Sequence, residues 1–168
     1  MIQFIKKADE FLATVEKLFL NLFTGALVLI LTVQVILRYV FSRPLFWAEE
    51  ISLQLLVFST LTGLSLLLKT RQMIVIDMVI AALPTHLKKK LTILLQILAL
   101  GVILFFAYQG TLWILRPDVR MESAPTTGLP IWINYAMFPI TFYAMAFHLA
   151  AGLAALIITP SHPEEQPC

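Results

Sequence analysis

The side chains able to do chemistry are few. Histidine occurs at His86, His148 and His162, and the single cysteine is Cys168 at the C-terminus. One cysteine allows no intrachain disulfide and no CxxC pair for zinc or thiol redox work. A prenylated cysteine stands four residues from the end, so Cys168 does not fit that motif. A haem held between helices needs two histidines at membrane depth, and His148 alone lies in a long apolar stretch. A serine nucleophile needs a base beside it; Ser59 or Ser65 could meet His148, but no motif supports the pairing. These residues offer no catalytic, cofactor-binding or metal-binding set. His148 reads as a hydrogen-bonded packing residue, although a titratable group inside a membrane is a functional suspect by default. The other chemistry is ionic. Glu49 and Glu50 directly precede an apolar run, where carboxylates favour the positive end of a helix dipole by ~0.3–1 kcal/mol. Arg38 and Arg43 stand close before them and could pair with them.

The elements that must position these groups follow from where charge is missing. Of 168 residues, 60% are hydrophobic and 13% charged, against roughly half and roughly a quarter in ordinary globular chains. Mean hydropathy is +0.88. The charges fall in clusters at Lys6 to Lys17, Arg38 to Glu50, Lys69 to Lys90, Arg116 to Glu122, and Glu164 with Glu165. The stretches 18–37, 51–68, 91–115 and 123–163 carry none. A helix needs ~20 apolar residues to cross ~30 Å of hydrocarbon. The sequence therefore predicts an all-α integral membrane protein with four spans, about 18–40, 49–68, 87–115 and 135–158. A soluble enzyme, a disordered chain and a free nucleic-acid binder are excluded.

Residues 1–17 mix charge with apolar residues at helical steps: Ile2, Ile5, Ala8, Leu12, Val15 and Phe19. This spacing predicts an amphipathic interfacial helix flowing into the first span. A cleaved signal peptide fits poorly, because residues 9–17 carry acids and 18–37 is long for a signal core. Phe46 and Trp47 are interfacial anchors by type. In the second span, Ser59 and Gly63 stand four apart, a small-xxx-small face that predicts a tight helix contact, within the chain or with a partner. Met73 to Leu83 is too short to cross and reads as a short interfacial helix capped by Asp77 and ended near Pro84. Thr85 is a cap candidate for the third span. Residues 116–134 are the most loop-like. Pro139 sits near the start of the fourth span, and residues 159–168 form a polar tail.

Counting Lys and Arg sets orientation. The N-terminus and the 69–90 loop lie on one side with the C-terminus and hold Lys6, Lys7, Lys17, Lys69, Arg71, Lys88, Lys89 and Lys90. The other side holds Arg38, Arg43, Arg116 and Arg120. The positive-inside rule predicts both termini in the cytoplasm. Lys88, Lys89 and Lys90 are candidates for phospholipid headgroups, at ~1 kcal/mol each. The net charge of +2 is no nucleic-acid signal.

Transport by the chain alone is disfavoured. Substrate and proton paths place ionisable groups inside the membrane, and no Asp, Glu, Lys or Arg lies in the middle of a predicted span. Small four-span exporters need a carboxylate in the first span, and none lies between Glu16 and Glu49. Two classes remain: an accessory subunit packing against a larger partner, and an autonomous small four-helix transporter or channel.

Three further patterns bear on that choice. Arg38-Tyr39-x-Phe41-x-x-Pro44-Leu45-x-Trp47-x-Glu49-Glu50 is followed by Gly63, Lys69, Arg71 and Ile74-x-Ile76-Asp77, then by Leu129-Pro130-x-Trp132-x-x-Tyr135 and Pro139. In this order they resemble the small membrane subunit of TRAP transporters, the DctQ-like family, over about residues 30–157. Where that family often has a histidine before the isoleucine, this chain has Met73.

The resemblance implies a non-catalytic subunit of a secondary importer in the bacterial inner membrane. It implies a large elevator-type membrane subunit that carries substrate and sodium, and a periplasmic substrate-binding protein that feeds it. The small subunit is then fixed scaffold. The substrate is an organic anion of the sialic acid or C4-dicarboxylate class, with sialic acid favoured by general likeness. Arg38, Tyr39, Pro44, Trp47, Glu49, Glu50, Ser59, Gly63, Asp77, Pro130, Trp132 and Pro139 become the structural or partner-interface candidates.

Overall fold

The computed structural model describes residues 2–70 and 85–158. Five helices follow in order: α1 (Ile2–Tyr39), α2 (Phe46–Thr70), α3 (Thr85–Ile114), α4 (Pro117–Met121) and α5 (Ile131–Ile158). Four are long and apolar enough to cross a membrane, over Ile5–Tyr39, Phe46–Thr70, Lys90–Ile114 and Ile131–Leu156. Hydrocarbon offers no partner to a free backbone group, so each crossing segment must satisfy itself as a helix. The hydroxyls in these helices do the same: Thr32 donates to Val28 O, Ser59 to Leu55 O, Thr60 to Leu56 O, Thr111 to Ala107 O and Thr141 to Met137 O, at 2.6–2.8 Å.

Helix α1 has 38 residues, about 57 Å of rise, nearly twice the ~30 Å hydrocarbon thickness. It runs through residue 17 without interruption. Its inward face differs from the apolar series in the sequence. Phe19 is 47% exposed, whereas Ala13, Glu16 and Gln34 are buried. Lipid is as apolar as leucine, so burial inside the protein goes to the groups that lipid cannot satisfy.

The other boundaries move outward. Helix α2 takes in Phe46 and Trp47, placing Glu49 and Glu50 in its opening turns. Helix α5 begins at Ile131, immediately after Pro130, whose fixed φ suits a chain about to turn helical. Pro139 therefore lies inside that helix. The 116–134 segment contains α4, with proline at its start. The expected short helix at 73–83, with Asp77, lies outside the described residues.

The helices pack in an open row. Helix α1 lies on α2, α2 on α5 and α5 on α3, with a lighter contact of α1 on α5. Among the described residues the α3 backbone stays more than 8 Å from those of α1 and α2, Cα to Cα, and a cavity of about 490 Å³ lined by Val57, Leu61, Phe106 and Phe138 lies between α2, α3 and α5. Burial follows this order: 33% of the α5 span is buried, 22% of α2, and 6% of each flank, α1 and α3. Phe23 of α1 meets Phe58 of α2 with ring centroids 5.6 Å apart. Phe106 of α3 meets Phe142 of α5 at 6.2 Å.

The closest approach between helices is not at Gly63. A methyl group there would meet only the Leu20 side chain, at an ordinary 3.9 Å, and Ser59 bonds its own helix. Of the two alternatives expected at these residues, the contact within the chain is an ordinary one, because Gly63 faces a side chain rather than a backbone, and the contact with a partner remains a proposal. A tighter approach is at Gly110 of α3. A methyl group there would lie 2.9 Å from Phe138 Cδ1 and 3.5 Å from Pro139 Cδ. Pro139 is buried in this contact.

Candidate functional site

Polar chemistry concentrates at the two ends of the helices. At one end stand Tyr39, Trp47 and Trp132, exposed by 75%, 45% and 39%. Successive residues of a helix point ~100° apart, so Glu49 and Glu50 serve different neighbours. Glu49 turns to α1. Gln34 Nε2 donates to its Oε1 at 3.1 Å, and Arg38 Nη1 lies 3.9 Å from the same oxygen in an exposed pair. Glu50 turns to the segment before α5. It accepts the Thr126 amide at 3.1 Å, the Thr126 hydroxyl, and the Thr127 hydroxyl at 2.7 Å.

That segment is itself folded. Ser123 and Pro130 form an isolated antiparallel bridge. Ala124 N donates to Leu129 O at 2.8 Å and Ile131 N to Glu122 O at 3.1 Å. The turn closes through Gly128 at φ +68°, a conformation that glycine adopts at little cost. Beside it, Arg116 grips Asp118 with two hydrogen bonds, at 3.1 and 2.7 Å, and lies 4.8 Å over the Trp113 ring. The Arg116 side-chain hydrogen bonds hold the Asp118 carboxyl below the usual carboxylate range. Pro44 and Pro130 are exposed in the connecting turns. Arg43 contributes its backbone amide to Leu37 O at 3.0 Å.

The opposite end carries a cluster that the sequence did not announce. Asp9 and Glu16 are two turns apart on one face of α1; Ser65 and Lys69 are one turn apart on α2. Both pairs converge on His148 of α5. His148 Nδ1 lies 2.5 Å from Asp9 Oδ1 and Nε2 lies 3.0 Å from Glu16 Oε2. Ser65 donates to Glu16 Oε1 at 2.7 Å. Lys69 Nζ donates to Asp9 O at 2.7 Å and lies 3.4 Å from Asp9 Oδ2. The His148 side chain is fully enclosed, and those of Glu16 and Asp9 are 9% and 17% exposed. Along their helices His148, Ser65 and Glu16 stand about 24, 27 and 35 Å from Trp132, Trp47 and Tyr39. One hydrocarbon thickness thus separates the cluster from the aromatic end.

Buried charge is costly unless paired and hydrogen-bonded, and here every charged atom has a partner. The serine gives its proton to a carboxylate rather than to the imidazole, so this is no nucleophile and base pair. Among the described residues no group has the arrangement to hold a metal ion. Sequence reasoning read residues 1–17 as an interfacial helix, gave Asp9 and Glu16 no partner, and took His148 as a lone packing residue. The available signal was the seven-residue spacing of two acids flanking the small Ala13. Lys90 is exposed on α3, and the side chains of Lys88 and Lys89 lie outside the described residues.

Comparison with known proteins joins these features. The chain is 28% identical over 109 residues to the sialic acid TRAP transporter permease protein SiaT of Haemophilus influenzae, covering 65% of this chain and 17% of that protein. It is 24% identical over 151 residues to the isethionate TRAP transporter permease protein DctMQ of Oleidesulfovibrio alaskensis, covering 86% of this chain and 24% of that protein. The chain thus spans about a quarter or less of the length of these curated relatives. Residues 27–159 match the family model for the DctQ component of tripartite ATP-independent periplasmic transporters, a stretch that takes in the Glu49 and Glu50 clamps, the Gly110 contact and His148. The chain belongs to that DctQ family, the small membrane component of a transport system rather than a family of enzymes.

Proposed function

We propose that this chain is the fixed, non-catalytic scaffold of a secondary importer. The large membrane subunit beside it moves an organic anion together with sodium by an elevator motion. A periplasmic binding protein delivers the anion. The observation that carries this reading is the open row. A path through a membrane needs helices closed around it, and among the described residues the α3 backbone stays more than 8 Å from those of α1 and α2, Cα to Cα, an arrangement that supports a partner-facing surface over a closed pore. This disfavours an autonomous transporter or channel. The small share of each relative that the chain covers supports the same reading, since most of the relatives' length must come from elsewhere.

The relatives' names, a sialic acid permease and an isethionate permease, support a substrate of the organic-anion class, sialic acid or C4-dicarboxylate. The excess of Lys and Arg at the histidine end assigns that end to the cytoplasm of a bacterial inner membrane. The Glu49 and Glu50 clamps then face the periplasm, where the binding protein docks. Lys88, Lys89 and Lys90 meet anionic phospholipid at the cytoplasmic face.

The test is reconstitution. The chain co-expressed with its large subunit should co-purify with it. Proteoliposomes of the pair with the binding protein should take up organic anion under a sodium gradient. Sodium-driven uptake by this chain alone would overturn the proposal.

A further inference from the structure

The buried cluster at the histidine end contains more contacts than a neutral histidine can make. Each nitrogen of the His148 ring faces a carboxylate oxygen, at 2.5 Å and at 3.0 Å. A neutral imidazole has one N–H and one lone pair; an ionised carboxylate has only lone pairs. Two N···O contacts of hydrogen-bond length need two protons between them, and a neutral imidazole supplies one. The second must sit on the ring or on one of the carboxyls. Without it, a ring lone pair would press on a carboxylate oxygen at a largely buried site.

The geometry points to a proton-binding site, made of Asp9, His148 and Glu16, that fastens the N-terminal arm of α1 to α5. Its ligand is one exchangeable proton. The route for that proton is visible. A cavity of about 290 Å³ reaches His148 past Lys6, Asp9, Glu10, Lys69 and Gln96. From α1 the ring is faced by Asp9 and Glu16, with Lys6 and Glu10 at the cavity wall. From α2 Lys69 holds Asp9 and Ser65 holds Glu16. From α3 Gln96 lines the cavity, and its side-chain oxygen has no hydrogen-bond partner among the described residues. Beyond Glu16 the contacts among the described residues end at Ser65, which is fully buried. The site therefore stores a proton at one face and does not relay it across. Removing the proton turns an attraction between α1 and α5 into a repulsion, and the arm loosens.

Stability contributed by a proton held in the folded state is present at low pH and lost as pH rises through the site's titration. The experiment uses the full chain in lipid nanodiscs and needs no transport partner, so its failure leaves the scaffold reading standing. Thermal midpoints are measured from pH 5 to pH 9 for the wild type, His148→Gln and Glu16→Gln. The wild type should lose stability with rising pH across one titration step. His148→Gln should lose that step, since glutamine does not titrate, and Glu16→Gln should move it to lower pH, since the ring then faces one carboxylate instead of two. A wild-type step retained in His148→Gln would overturn the proposal. Should His148→Gln fail to fold, Glu16→Gln and nitrogen-15 spectra of the wild-type ring decide. Two ring N–H signals, or one with a protonated carboxyl, support the site; one N–H with both carboxyls ionised overturns it.

Discussion

Glu16 and His148 are 132 residues apart in the chain and 3.0 Å apart in space. That contact joins the first long helix to the last. It ties the N-terminal part of α1 to α5.

Glu16→Ala should therefore be among the most damaging single changes outside the aromatic end. It strands the Ser65 hydroxyl and leaves His148 Nε2 without its partner, with Asp9 still on Nδ1. Breaking a buried pair typically costs about 3–5 kcal/mol. Unfolding of the purified chain in mild detergent should show a loss of this size. A change under about 1 kcal/mol, the scale of an exposed pair, would mean that water already reaches the cluster.

Glu49 and Glu50 should separate by phenotype. Glu50→Ala removes the acceptor of three hydrogen bonds from Thr126 and Thr127, so protease should cut the 123–130 segment faster while α1 stays packed. Glu49→Ala releases Gln34 and Arg38 and should leave that segment protected. The double change to glutamine should lower complex yield or uptake. Equal cleavage in the two single variants would show that the two carboxylates are interchangeable.

The glycines give a second contrast. Gly110→Ala pushes a methyl group into Phe138, and overpacking of this kind costs about 1–3 kcal/mol. Phe138→Leu in the same chain should restore part of the loss. Gly63→Ala should be near neutral in the isolated chain, because only Leu20 stands near it. Gly63→Leu instead should reduce co-purification with the large subunit if that face docks there. Normal complex stability in Gly63→Leu would remove Gly63 from the partner surface.

Acid should act at the aromatic end through Asp118. Its carboxyl is held below the usual range by Arg116, so the contact is intact above the ordinary aspartate range and is lost as pH falls through the lowered value. Arg116 also stacks on Trp113. With Trp47 and Trp132 replaced by phenylalanine, Trp113 emission should stay constant through mild acid and change only below it. Asp118→Asn should show the altered emission at every pH. A transition at the ordinary aspartate value would mean that Arg116 does not hold the carboxyl.

What the sequence makes legible is set by range and by solvent. The gaps between charges locate four spans because crossing hydrocarbon needs an uninterrupted apolar length, a local property. Glu49 and Glu50 stand out because they mark a helix start. The inward face of α1 was not legible from apolar spacing, because lipid reverses the usual meaning of that pattern: Phe19 goes outward and Glu16 inward. The His148 cluster depends on three helices meeting, which no spacing rule encodes. Gly63 and Gly110 look alike in sequence, and only the partner surface, a leucine side chain in one case and an aromatic ring beside a proline in the other, tells them apart.

Helix α1 is pinned to its neighbours by buried polar groups at two depths, Gln34 on Glu49 and Glu16 on Ser65 and His148. Residues 16 and 34 are about 27 Å apart along the helix. Sliding α1 by one turn, or changing its tilt against α2, would break both clamps at once. The usual ways in which a long helix accommodates a thinner or thicker bilayer are tilting and shifting, and α1 can do neither independently of α2 while both clamps hold. A change of thickness must then be met by the clamped helices moving as one body or by the lipid.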